Sequence, residues 1–358
     1  MVLISRLRRL TVAMVLLAGA ACAPTAPTAA PIATPPGGAV AGSSQWYEAA
    51  RKEGTLIVYG IGGDAFAPLK KGFEARHPGI VAEGVEQSGQ QTREKVIAES
   101  AAKQIKVDVV SAGGTSFTEM VNSGVIEAYR SPEAANLVPD LVDPRGFLTP
   151  RIVNSYGITI NTSAIKPQDE PKSWKDLLDP KWKGKKIAMG DPRGSGSGGT
   201  ILYGLEKVLG AEFVQQLAAQ DLFFGRESAA LISTVVRGEQ VILLTASSRQ
   251  VVEQRTKGAP IKFIKPSEGV ALTPINIGIV KGAPHGNAAR LFIDWVLSEE
   301  GQVASAAAGD PAARLGTPAA YPESDLSGVK ILPRDDAEAG TQAEMERMQG
   351  WAKLFFGN

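Results

Sequence analysis

From residue 55 onward, short apolar runs alternate with segments whose apolar residues recur at three- and four-residue spacing. TLIVYG (55–60) reads as a strand, and Phe66, Leu69 and Phe73 form a helical stripe that stops at HPG. GIVAEGV is a second strand, TREKVIAESAAKQI an amphipathic helix, and VDVVSAGG a strand running into a glycine loop. This alternation predicts an α/β fold with a mostly parallel sheet. Ligands of such sheets sit beyond the carboxyl ends of the strands. The loops GIGGD, EQSGQQ and SAGGTS follow three of those ends, which makes Gly62, Gly63, Ser88, Gly113, Gly114 and Thr115 the expected floor of a binding site.

The middle of the chain repeats the pattern. IVNSYGITINTS (152–163) and SEGVALTPINIGIVKG (267–282) are long and extended, and they enclose a second set of strand and helix signals. Two extended crossings around an inner α/β unit are what a two-lobed protein with a double-stranded hinge requires. The expected organisation is lobe one at 45–154 plus 277–358 and lobe two at 155–276, with a cleft between them. GNAARLFIDWVLSEEGQVASAA reads as one long amphipathic helix, and Phe223 and Phe224 read as core.

GDPRGSGSGGT (190–200) stands between a short strand, KGKKIAM, and a helix carrying Ile201, Leu202, Leu205, Val208 and Leu209. Free N–H groups and hydroxyls at the positive end of a helix dipole suit an anion. The loop is not a nucleotide-binding lysine loop, because no Lys follows its last glycines. Ser195, Ser197, Gly198 and Thr200 are the expected donors, with Arg193 as a charged partner; the plainer reading makes Ser197 a helix cap and the glycines a turn.

At the N-terminus, MVLISRLRRL supplies three arginines, TVAMVLLAGAA an apolar run of about a dozen residues, too short to span a membrane, and Cys22 follows. Residues 1–21 are expected to be a signal peptide. LAGAAC resembles a lipoprotein acylation site, with ordinary cleavage at the alanines as the rival. Residues 22–44, a Pro/Ala/Thr/Gly tract, would then be a flexible tether. Cys22 is the single cysteine, so no intrachain disulfide forms. The formal net charge of +1 becomes about −2 without the leader arginines, which argues against a nucleic-acid partner.

WYEAARKEGTLIVYG, SWKDLLDPKWKGKKIAMGDPRGSGSGGT, RGEQVILL and APHGNAARLFIDWVLSEEGQ together resemble the extracellular solute-binding proteins of bacterial ABC transporters, in the branch that includes ferric-iron binders. The resemblance implies a type II periplasmic-binding fold, a solute trapped between two lobes, a permease as partner, and binding without chemistry; the near-neutral charge, the missing catalytic groups and the two-lobe reading make a monomer the expectation. Iron binders of the branch use a tandem tyrosine pair after the strand that follows the GE motif. Here TASSRQ stands there, with Thr245, Ser247, Ser248 and Arg249, and GIGGD offers no His. Hydroxyls and a guanidinium suit an oxyanion rather than a hard trivalent cation. Relatives without the tyrosines are associated with phosphonates, phosphorylated compounds and other organic anions. The expected solute is therefore a small organic anion bearing a phosphoryl or carboxylate group, with no metal and no cofactor.

Three further positions complete the expected site. Ser228 opens ESAALISTVV as a cap that could also touch solute, Tyr156 in the first crossing could stack on it or pack in the hinge, and Ser248 with Arg249 would close from the second lobe. Catalysis finds little support. The two histidines, His77 and His285, lie far apart, and a hydrolase using Ser195 or Ser197 would lack the usual nucleophile spacing and a His/Asp partner. Tyr156 and Tyr203 are the remaining single oxygen donors for an iron alternative.

Overall fold

A computed structural model describes residues 43–193, 196–226, 228–334 and 342–357. Cys22, the leader and most of the tether lie outside the described residues, as does Ser195. The chain begins with α1 (Ser43–Glu53), then β1 (Thr55–Tyr59), α2 (Gly63–Arg76), β2 (Val81–Val85), α3 (Gly89–Ala101), β3 (Val109–Gly113), α4 (Gly114–Asn122) and β4 (Ile126–Glu127). The first crossing is β5 (Thr149–Tyr156) into β6 (Ile158–Asn161). An inner run follows: β7 (Ile187–Gly190), α5 (Gly196–Leu209), α6 (Ala211–Ala218), β8 (Phe223–Gly225), α7 (Ser228–Val236), β9 (Ile242–Leu243) and α8 (Ser248–Thr256). The return crossing is β10 (Ile261–Ile264) to β11 (Ala271–Val280), and α9 (Gly286–Leu297), α10 (Glu299–Ala306) and α11 (Gln342–Phe356) complete the chain.

Two sheets result. The first runs β2-β1-β3-β11-β4 with β5 added on β11, and the second runs β10-β6-β9-β7-β8. Both are mixed rather than mostly parallel. β1 pairs in parallel with β2 and β3, and β7 with β8 and β9, but β11 is antiparallel to β3, β4 and β5, and β6 is antiparallel to β9 and β10. The crossings are the cause, since each brings the chain back into a sheet against the direction of its parallel strands.

The crossings lie side by side. Tyr156 is paired with Ala271 at the end of the β5–β11 ladder, and Ile158 with Ile264 at the start of the β6–β10 ladder. Gly157 joins them, and a Cβ there would stand 2.3 Å from the Ile264 carbonyl oxygen, so only glycine lets the two crossings approach this closely.

Each sheet carries its own apolar core. The first includes Phe66, Leu69, Phe73, Phe292 and Trp295, the second Ile158, Trp174, Leu202, Leu205 and Ile242. The expected long helix after APHG is two helices. Ser298 has an extended backbone and its hydroxyl accepts from the Gly301 N–H, ending α9 and capping α10. α9 is also buried from Ala288 to Leu297 apart from Arg290, and thus apolar on nearly every side rather than amphipathic.

The C-terminal helix, assigned from sequence to lobe one, packs on the second sheet's core. Trp351 is buried there and its Nε1–H donates to Glu206 at 3.0 Å, while Phe355 and Phe356 meet the Phe224 ring at 5.4 and 4.8 Å. Among the described residues no helix is long and apolar enough to cross a membrane.

His77 ends α2, buried between the Tyr47 and Phe73 rings, with Nδ1 3.2 Å from the Phe73 carbonyl oxygen. Burial pulls its pKa down to about 4. A histidine depressed on folding contributes stability that is complete above its unfolded value near 6.5 and is lost as pH falls toward 4. His77→Gln should therefore flatten the acid limb of the stability curve between those values by about 2 kcal/mol, after allowing for solvent screening, as read by urea unfolding at stepped pH.

Candidate functional site

Parallel order brings the predicted loops together. β2, β1 and β3 are neighbours, and each hands the chain at its carboxyl end to a helix: α2 starting at Gly63, α3 at Gly89 and α4 at Gly114. Backbone packing locks this edge. Gly60 has φ +89° and a Cβ on it would lie 1.9 Å from the Ser111 carbonyl oxygen; one on Gly62 would lie 2.4 Å from the Glu86 nitrogen. The loop after β1 thus rests on β3 and on the loop after β2. Ser88 is the cap of α3: its Oγ accepts from the Gln91 N–H at 3.2 Å and its own N–H donates to Gln91 Oε1 at 2.9 Å. Gly63, Gly114 and Thr115 are exposed at the starts of their helices, Gly62 is buried, and Gly113 is half-buried.

The second sheet repeats the device. β8, β7 and β9 are neighbours and parallel, and lead to α7, α5 and α8. Ser197 and Thr200 are half-buried in the first turns of α5, and Thr200 Oγ1 donates back to the Gly196 carbonyl at 2.7 Å. Gly198 is buried so close to β7 that a Cβ would lie 2.8 Å from the Gly190 carbonyl oxygen. Gly190 N–H in turn donates to Thr245 Oγ1 at 2.8 Å, tying the GDPRGSGSGGT loop to TASSRQ. Ser228 is the first residue of α7.

Several predicted residues are committed elsewhere. The Arg193 guanidinium pairs with Asp191, Nε to Oδ1 at 3.0 Å and Nη2 to Oδ2 at 2.7 Å, and stacks 4.0 Å over the Phe356 ring, so it serves the loop rather than a solute. That pairing holds the Asp191 carboxyl below its ordinary range. Ser248 is fully buried and its Oγ bonds Ser155 Oγ at 2.9 Å across the crossing. Tyr156 is packed in the hinge, its backbone bridged to Ser247, and burial pushes its phenol up to about 12. Arg249 lies 3.6 Å from Asp310.

That last contact opens onto a cluster the sequence reading did not include. Arg151 of β5 and Asp310, after α10, are both buried, and Asp310 stands in the field of both Arg151 and Arg249. Burial pulls the Arg151 guanidinium down to about 10 and raises the Asp310 carboxyl against the pull of the two arginines. A charge inside the apolar run TPRIVNSY was a legible signal for Arg151. Asp310, in AAGDPAA, offers none.

Among the described residues, no group of three or more His, Cys, Asp or Glu is placed to hold a metal. Tyr203 lies beneath Lys207 and Arg347, which surround its ring with positive charge.

Residues 104–339 match the family model for bacterial extracellular solute-binding proteins. A periplasmic protein of Salmonella paratyphi A named for 2-aminoethylphosphonate binding is 24% identical over 87% of this chain and 89% of its own length. A Haemophilus influenzae protein is 29% identical over 52% of the chain, and the match spans 57% of that relative. Among solved structures, the periplasmic binding protein AfuA of Actinobacillus pleuropneumoniae with fructose-6-phosphate bound superposes with a TM-score of 0.65 at 24% identity, over 84% of this chain and 98% of that one. Iron-bound HitA of Pseudomonas aeruginosa gives 0.63 at 20% identity over 84% and 98%.

Proposed function

As a member of the bacterial extracellular solute-binding proteins, the chain is the extracytoplasmic capture component of an ABC importer, and we propose that its solute is a small organic anion gripped between the two lobes. The carrying observation is the double set of helix starts: α2, α3 and α4 from one sheet and α5, α7 and α8 from the other all open at the carboxyl ends of parallel strands. Their N–H groups and partial positive charge suit phosphoryl or carboxylate oxygens. Ser197, Gly198 and Thr200, with Ser195, supply one wall, and Gly63, Ser88, Gly114 and Thr115 the other. The position held by tyrosines in iron binders carries Thr245, Ser247 and Ser248, which brings no phenolate there to ligate iron; their hydroxyls are tied into the fold, and the N–H groups at the start of α8 are what this segment offers an anion. The name of the Salmonella relative and the sugar phosphate in AfuA support the same class.

Capture then needs closure alone. A solute touching both lobes favours the shut form over the open one, and the permease reads that form. The protein acts as a monomer and performs no catalysis. A panel of phosphonates, phosphorylated sugars and carboxylates should contain a compound that raises the melting temperature, because a ligand of the folded state alone must stabilise it. A flat panel, or turnover of any compound, contradicts the reading.

Cys22 would be acylated and residues 22–44 would hold the body off the membrane. Cys22→Ala should then move the protein from the membrane to the soluble extracytoplasmic fraction with solute affinity unchanged, as seen by fractionation and titration. A wild type already wholly soluble contradicts the anchor.

A further inference from the structure

Among the described residues, the hinge cluster sets two guanidiniums against one carboxylate. Arg151, 6% exposed, and Asp310, 4% exposed, are buried, and Arg249 reaches them from a side chain that is 37% exposed. A guanidinium keeps its proton in a protein, and a buried charge without a counter-charge is costly. The hydrogen bonds show the same deficit. Arg151 Nε is buried without a partner, its side chain donates no hydrogen bond among the described residues, and Asp310 Oδ1 is buried without a partner too. Buried polar atoms are nearly always paired, and the segment after Asp310 runs alongside β5, so an unpartnered donor and an unpartnered acceptor in one charged cluster suit a molecule that offers both complements.

Backbone placement gives the cluster its position. The β5–β11 register pairs Ile152 with Ile275 and then Pro150 with Asn276, which leaves Arg151 as the extra residue of a bulge. Bulges re-aim side chains and recur beside functional sites. Arg249 comes from the start of α8 in the second sheet's lobe, whereas Arg151 and Asp310 belong to the first, so the cluster straddles the hinge that closure bends.

We propose that Arg151, Arg249 and Asp310 form the solute's polar anchor at the root of the cleft, Arg151 taking an anionic oxygen while Asp310 Oδ1 accepts from an ammonium or hydroxyl group of the same molecule. This rests on the anion reading above and narrows it: the solute is a small anion carrying its own hydrogen-bond donor near the charged group. Arg249 couples the anchor to the second lobe, so occupancy favours the closed form.

The test uses the purified protein with 2-aminoethylphosphonate and ethylphosphonate, which share the anion and differ in the amine. Calorimetry should show wild type binding the aminated probe more tightly. Arg151→Gln should weaken both probes about 10- to 150-fold, the range for a charged hydrogen bond, and Asp310→Asn should erase the preference for the amine. Without ligand, Arg151→Gln should melt no lower than wild type, because it relieves the repulsion between two guanidiniums and leaves Arg249 to face Asp310; an arginine that only braces the hinge would lower the melting temperature when lost. Should the glutamine variant fail to fold, Arg151→Lys, which keeps the charge and loses the fork, should still weaken both probes several-fold. Wild-type affinity in a folded Arg151 variant overturns the anchor and leaves the anion reading intact. No binding of either probe to wild type overturns the anchor as stated, and a response to no anion at all overturns both.

Discussion

Gly60→Ala should destabilise the protein by about 2–5 kcal/mol and abolish solute capture with it. At φ +89° an L side chain is strained by about 1–2 kcal/mol, and its Cβ would sit 1.9 Å from the Ser111 carbonyl and 3.3 Å from Thr92 Oγ1, both in buried residues. Forcing that backbone apart costs about 1–3 kcal/mol more and separates β1 from β3 at the edge where their helices begin. Gly54→Ala is the control: its φ is +72°, but nothing lies within 4 Å of the new Cβ, so only the backbone strain applies. Urea unfolding should show a large fall in midpoint for Gly60→Ala and a small one for Gly54→Ala, both at unchanged slope. Equal shifts would mean that the close approach to Ser111 carries no weight.

Asp310→Ala should cost about 3–5 kcal/mol, the range for stripping one partner from a buried ion cluster. It leaves Arg151 and Arg249 facing each other with no carboxylate beside them among the described residues. Replacing Arg151 by Met in the same chain should recover much of the loss, since it removes the buried guanidinium that the missing carboxylate had faced. A single-variant loss below about 1 kcal/mol, or a double variant no better than the single, would show that the three groups are not electrostatically joined.

What was readable in the sequence is what neighbours along the chain decide. The period of apolar residues placed the strands and most helices, and the two extended crossings marked the hinge. Ser298 was harder, because a serine within a continuous helical pattern looks tolerable until its hydroxyl is seen capping Gly301. The direction of β6 and β11 in their sheets depends on which strand each meets after a long excursion, and no local signal records that. The same holds for α11, whose Trp351 finds Glu206 across 145 residues of sequence.

The site divides the same way. The placement of Gly62, Gly63, Ser88, Gly114, Ser197 and Gly198 at strand-to-helix junctions was legible because a loop between strand and helix has a fixed place in parallel sheets. Arg193 reads from sequence as a charged partner of the solute, whereas its bidentate pair with Asp191 and its stacking on the Phe356 ring appear only in three dimensions. The pairing of Arg151 with Asp310 escaped because they are 159 positions apart and are brought together only when the chain after α10 returns alongside β5, bridging Ile152 to Ala312.

On the proposed reading a small organic anion, and not iron, draws the two lobes together. Small-angle scattering of the protein, titrated first with 2-aminoethylphosphonate or whichever panel anion stabilises it most and then separately with ferric citrate, tests this directly. The expected result is a fall in radius of gyration that saturates at one anion per chain, with no change and no visible band on adding iron. Stoichiometric ferric uptake with a charge-transfer band, alongside an unchanged radius at saturating anion, would contradict it.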